Sequence, residues 1–431
     1  MIQVGGKGSW NVIESLLAGI TIPRMVRVKQ RFDHPPAVDV EAELRRQFAD
    51  MALLARVKPG ETVAITVGSR GIVNQPLAVR TMVEMLKGAG AVPFMVPAMG
   101  SHAGATAEGQ KEMIIGMGYT EEYIGAPIRS SMETVELGQS KSGLPVLVDK
   151  NAHDADHIIV INRVKPHVCF RGPYESGLMK MITIGLGKQR GADIAHDLGF
   201  GLMAEHVPEI ARESLKHLNI LCAVALVDNA FHETAICRVL RKDEIESEEP
   251  GLLEQARSFA ARLHLGKLDA LIIDEIGKNI SGSGFDTNVV GRYHSSWISG
   301  GPQFTRVAIL DISKESKGNG NGLGMADFTT ARAAEKFDFT QTYPNTLTAT
   351  LPGGVKIPMV LPNDLQALQS CIKTSNILDR SKFTMARIKN TLRLTEIEVS
   401  ENVAQTIRGD DRFEVTSEPY DLVFDGNGNL F

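Results

Sequence analysis

The strongest constraint on how this chain can fold is the alternation of short, largely apolar β-branched runs with amphipathic stretches of helical period. Candidate strands are ETVAITV (61–67), HIIVIN (157–162), LCAVALV (221–227), LDALIIDEI (268–276) and TRVAILDIS (305–313). Runs this apolar suit strands buried on both faces, as in parallel sheets. Between the first two, Leu77, Val79, Met82, Val83 and Leu86 recur on one helical face, and Gly88 and Gly90 supply a stop. Further helices are expected at 39–54, 107–116, 175–186, 201–218, 251–263, 326–336 and 363–375. The expected class is α/β, with mainly parallel sheets flanked by helices.

A chain of 431 residues exceeds what one core usually organises, so two domains are expected. The best boundary follows the helix EQARSFAARLHLG. It divides a first domain, 1–266, from a second, 267–414. The closing YDLVFDGNGNLF reads as a strand and a turn, so 415–431 is expected to return and complete the first domain. In this plan the active site lies in the interdomain cleft.

A formal charge of -5 gives no support to a general nucleic-acid binder. None of Cys169, Cys222, Cys237 and Cys371 forms a CxxC pair, which argues against a cysteine-held cluster or structural zinc. The opening MIQVGGKGSW lacks the layout of a secretory signal, and no run of about eighteen apolar residues could cross a membrane. A cytoplasmic protein without membrane or nucleic-acid partners is expected.

Chemistry-bearing residues gather where strands end, the place where open α/β sheets collect ligands. Arg70 sits in GSRG after the first strand, and its planar guanidinium could hold a carboxylate bidentately or close a surface ion pair. His102 lies in GSHAG after VPFMVP, and His167 in KPH after HIIVIN. An imidazole titrates near ~6.5, so either histidine can take or give a proton at neutral pH. Each could equally be a loop cap. Lys180, in SGLMKMITIGLG, is costly to bury unpaired, unless it snorkels at a helix edge. Lys188 and its glycines could grip a phosphate, and His196 could ligate a metal. The string GNGNGLG (318–324) fits neither GxGxxG nor a P-loop and suits an ordinary turn. Taken alone, these residues leave a histidine hydrolase, a metal site and an isomerase open.

In order and spacing, GSRG, GSHAG, KPH, ESGLMK and GADIAH resemble the lactate racemase family, whose members use a nickel-pincer nucleotide. That resemblance implies a racemase or epimerase that inverts C2 of a 2-hydroxy acid by proton-coupled hydride transfer. His102 and His167 would be alternating general bases and acids, Arg70 the carboxylate holder and His196 the nickel ligand. Lys180 and Lys188 would hold the cofactor, nickel pyridinium-3,5-bisthiocarboxylic acid mononucleotide, with covalent attachment at Lys180 left open. Cofactor-synthesis and nickel-insertion proteins would be partners.

The sequence departs from the family pattern at Val67, where an acid is usual, in the longer VCFRGPYESGLM, and in ALQSCIKT. A polyhydroxy (aldonic) acid is therefore weighed beside lactate. Its binding groups are sought in DEIGKNISGSGFDTNVVGR, as Lys278, Asn279, Ser283, Asp286, Asn288 and Arg292. A polar loop bonded to itself is the alternative there. Competing functions are a nicotinamide-dependent or metal-assisted enzyme and a non-catalytic nucleotide- or sugar-acid-binding protein.

Overall fold

The computed structural model describes residues 10–431; the opening residues read above for a signal lie outside that range. The architecture is α/β with mixed sheets and flanking helices. Two compact units account for the described residues: 34–260, and 261–431 together with 10–33.

In the unit 34–260, a five-stranded sheet runs in the order Val92–Pro97, Thr62–Val67, His157–Arg163, Ile220–Asp228, Thr234–Leu240. The first four are parallel and the edge strand Thr234–Leu240 is antiparallel, so the sheet is mixed where a mainly parallel one was expected. The expected apolar runs form its centre: Val63, Ile65, Ile159, Ile161 and Val224 are wholly buried. Helices Val40–Asp50 and Gln75–Gly88 pack their apolar stripes into the same core. A hairpin, Thr134–Gln139 with Pro145–Asp149, stands apart from the sheet.

The other unit holds an eight-stranded sheet. Leu268–Ile273 and Phe304–Ile309 pair in parallel at its centre, and Met385–Ile388 joins Leu268–Ile273 in parallel. Beyond Met385–Ile388 the sheet turns antiparallel through Glu396–Ser400, Met25–Gln30 and Phe413–Val415. Residues 415–431 therefore pair with the segment at 25–30 rather than with the sheet of the unit 34–260. Past Val415 they make a single bridge, Met25 to Tyr420, instead of a strand, although the turn after Asp425 forms as expected. Among the described residues no helix is long and apolar enough to cross a membrane.

The expected helix 175–186 is less regular than its pattern suggests. A single turn, Leu178–Lys180, widens into a π-helical turn, Met181–Gly185. Such bulges recur at functional sites. Gly185 permits it, because a Cβ there would meet Met181 Sδ at 2.5 Å and the Ala98 carbonyl at 2.8 Å.

Candidate active site

Three parallel strands deliver three groups at their carboxyl ends. Thr62–Val67 leads to Arg70, Val92–Pro97 to His102, and His157–Arg163 to His167. Arg70 Nη2 lies 3.5 Å from His102 Nε2. Arg70 is partly exposed, yet burial of its surroundings, aided by the nearby positive Arg163, pushes the guanidinium down to about 10.

The two histidines are held in opposite tautomers. His102 Nδ1 is 2.7 Å from the Met99 carbonyl, which can only accept, so Nδ1 carries the proton. Its Nε2 then presents a lone pair toward Arg70. At His167 the Cys169 backbone N–H donates to Nδ1 at 3.1 Å. The neutral ring must therefore carry its proton on Nε2, which lies 2.6 Å from Lys180 Nζ. In that contact Nε2–H donates to Lys180 in its neutral amine form, which gains population as the pH approaches 8. Burial, the largest influence, pushes Lys180 down to about 8, with Arg70 and Lys165 acting in the same direction.

His196 occupies the helix Lys188–Asp197. Its Nδ1 donates to the Ala192 carbonyl at 2.6 Å, which leaves Nε2 with a lone pair. Burial holds it neutral, with its pKa lowered to about 4, and the charge of Lys180 contributes to that shift. The Phe200 ring packs against both His196, at 5.4 Å, and His167, at 5.9 Å. The structure thus gathers Arg70, His102, His167, Lys180 and His196 within one unit.

Lys188 does not join them. It is wholly buried, donates to the Pro97 carbonyl at 2.7 Å and to Gln110 Oε1 at 2.6 Å, and pairs with Asp149 at 3.4 Å. These contacts hold Lys188 in the core, which does not match the phosphate grip expected of it.

The expected substrate groups of 274–292 lie in the other unit and serve their own loop. Lys278 Nζ donates to Gly282 O, and Asn279 accepts from Ser313. Ser283 donates to Phe285 O, and Asp286 caps the turn at Asn288. Arg292 pairs with Asp327 at 3.0 Å. GNGNGLG likewise folds into turns, with Asn319 held by Gln341 and Asn345.

Sequence reading missed two buried acids beside the site. Glu175 accepts from the His167 N–H at 2.6 Å, from Gly172 N–H at 3.1 Å and from Arg257 at 2.5 Å. Glu249 accepts from the Met179 N–H at 2.8 Å, directly before Lys180. Neither has a periodic or motif signature.

Among the described residues, no group of three or more His, Cys, Asp and Glu could hold a metal ion. A metal at His196 would need most of its donors from a non-protein group.

The family model described as the lactate racemase N-terminal domain matches residues 16–205, a span that contains all five gathered residues. The fold is similar to that of the lactate racemase apoprotein from Thermoanaerobacterium thermosaccharolyticum, at 13% identity and a TM-score of 0.51. That alignment covers 86% of this chain and 99% of the other. A Thermotoga maritima protein from a structural genomics programme is similar at 10% identity and a TM-score of 0.52, covering 83% and 99%. No curated protein matches the chain in sequence. The chain thus carries a lactate racemase N-terminal domain over 16–205, and its fold is similar to that of the lactate racemase apoprotein.

Proposed function

We propose that this chain is an isomerase that inverts C2 of a 2-hydroxy acid. The observation that carries the reading is the opposed pair of histidines: His102 Nε2 presents a lone pair beside Arg70, and His167 Nε2 presents a proton shared with Lys180. Inversion through a planar 2-oxo acid needs both states at once, one group to remove the hydroxyl proton and another to return it. Arg70 would fix the carboxylate while His102 takes the proton. The His167–Lys180 pair, in hydrogen-bond contact at 2.6 Å, supplies the proton on the other side.

The residues present fit a nickel-pincer nucleotide. His196 is neutral, oriented through Nδ1 and open at Nε2, as a ligand to such a metal must be. Lys180, as a neutral amine, is in the state needed to hold the cofactor, covalently or otherwise. When bound, the group supplies a hydride acceptor and donor for C2. Loading would depend on cofactor-synthesis and nickel-insertion proteins. A cytoplasmic setting is part of the same reading. The candidate substrates are lactate, malate and aldonic acids.

The test is interconversion of the C2 stereoisomers of each acid, followed by chiral chromatography, with protein made alongside the cofactor-synthesis proteins. Inversion is expected on at least one acid, with a C2 deuterium label retained in the product and with His102→Gln and His167→Gln each lowering the rate at least a hundredfold. Tight acid binding with no inversion by the nickel-loaded protein would instead make it a binding protein.

A further inference from the structure

Lys188 and Gln110, which no proton transfer uses, converge on the loop that carries His102. Gln110 is wholly buried in the helix Ala107–Gly116. Its Nε2 donates to the Gly100 carbonyl at 2.9 Å and to the His102 carbonyl at 3.4 Å. Its Oε1 accepts from Lys188 Nζ, which also grips the Pro97 carbonyl where the strand ends. Asp149, buried as completely as Lys188, balances the ammonium. Two side chains thus hold three carbonyls of the segment 97–102. Because Lys188 opens the helix that carries His196, the same clamp links the two histidine-bearing elements.

The backbone explains why a clamp is needed. Gly100, Ala103, Gly104 and Ala105 all have φ between 54° and 67°, and Lys188 itself has φ 55°. For residues with a Cβ this region costs roughly 1–2 kcal/mol each, and it persists only where the surroundings impose it. Three such residues, Ala103, Ala105 and Lys188, belong to the loop and to the clamp that holds it. His102 sits beside this strained stretch, and its Nδ1–H bonds Met99 O at 2.7 Å in this conformation of the loop.

We propose that Gln110 and Lys188 are positioning residues: they lock the strained 97–105 segment so that His102 keeps its proton on Nδ1 and its lone pair on Nε2. The meaning of this lock for catalysis rests on the role proposed for His102, but the lock itself does not. Its test therefore reads the imidazole and not turnover.

The experiment is ¹⁵N spectroscopy of selectively labelled histidine, with His102 assigned by its absence in His102→Gln. Wild type is expected to show His102 as a single Nδ1–H tautomer. Gln110→Met removes both the amide donor to the loop and the acceptor for Lys188, and Gln110→Glu keeps the acceptor for Lys188 but removes the amide donor. Both are expected to mix the tautomers, raising the Nε2–H population at least fivefold, while the His196 signals hold. A His102 spectrum unchanged in either folded variant overturns the proposal. Hydrogen exchange on wild type guards against variants that fail to fold. Amides of 98–105 that hydrogen-bond within the loop should exchange at least a hundredfold more slowly than unprotected ones, and unprotected rates there would also overturn it.

Discussion

Lys180 Nζ lies 2.6 Å from His167 Nε2, and the Cys169 N–H on the opposite ring nitrogen makes Lys180 the acceptor of that hydrogen bond. A lysine that accepts is a lysine without its charge. Reductive ¹³C-methylation followed by NMR titration should therefore find one lysine, absent in Lys180→Met, that titrates near pH 8, well below the ordinary range. Replacing His167 with alanine removes the proton donor to Nζ and should raise that value. A Lys180 that titrates with the surface lysines would remove the basis for the shared proton.

The fold was legible in proportion to how far each element's signal is local. The runs 61–67, 157–162 and 221–227 became the central strands because burial on both faces demands apolar residues at every position. The edge hairpin Thr134–Gln139 with Pro145–Asp149 escaped notice: its first strand is only half-buried and has no apolar run to show. Met25–Gln30 was invisible for a different reason, since its partner Glu396–Ser400 is almost the whole chain away. The candidate site was legible where strand ends announce it, at Arg70, His102 and His167. Lys188 was misread because glycine beside lysine is the local signature of an anion cradle, whereas its actual partner, Asp149, is fixed by tertiary packing. Glu175, Gln110 and Glu249 act through single buried hydrogen bonds, which no periodicity encodes.

Glu249 gives a pH dependence with a definite sign. Its carboxyl is wholly buried against Gly177, where a Cβ would meet Oε1 at 2.1 Å, and burial pushes it up to about 7 from 4.5. Between those values the folded chain holds a proton that the unfolded chain has released, so stability falls as pH rises from about 4.5 to about 7. At about 1.4 kcal/mol per unit, the loss approaches 3 kcal/mol. Glu249→Gln should match wild type in urea unfolding near pH 4 and exceed it by up to that amount at pH 8. A variant no more stable than wild type at pH 8 would contradict the assignment.

His196 has the opposite slope. Its folded pKa of about 4 lies below the unfolded 6.5, so the unfolded chain binds the extra proton as pH falls through that window, and stability is lost. Because the two windows overlap, the wild-type curve will look flat, and only the single variants separate them. His196→Gln should retain more stability at pH 4.5 relative to pH 7 than wild type does. Equal losses in both chains would mean that His196 is not held neutral.

The buried ion pair of Lys188 and Asp149 should behave asymmetrically. Removing one member leaves the other charged in a site with no water, a loss of about 3–5 kcal/mol, whereas replacing both with apolar groups of similar size is often close to neutral. Lys188→Met is expected to fall in the first range by urea unfolding. Lys188→Met with Asp149→Leu should recover most of the loss. Additive losses in the double variant would show that the pair makes no specific contact.

The extended segment 168–179 is organised by Glu175, whose two oxygens serve different masters. Oε2 takes the His167 N–H at 2.6 Å and the Arg171 guanidinium at 3.5 Å, while Oε1 takes Gly172 N–H and Arg257. An amide in its place keeps one accepting oxygen and turns an NH₂ group toward donors. Hydrogen bonds to a charged acceptor contribute about 1.5–3 kcal/mol each. Glu175→Gln should therefore destabilise the chain by about 2–3 kcal/mol and slow C2 inversion at least tenfold, because His167 loses the anchor of its own backbone. Arg257→Ala removes only one donor and leaves the His167 bond intact. It should cost about 1 kcal/mol or less, because Arg257 is partly exposed, and should change inversion little. If Arg257→Ala impairs inversion as strongly as Glu175→Gln, the carboxylate acts through the arginine and not through His167.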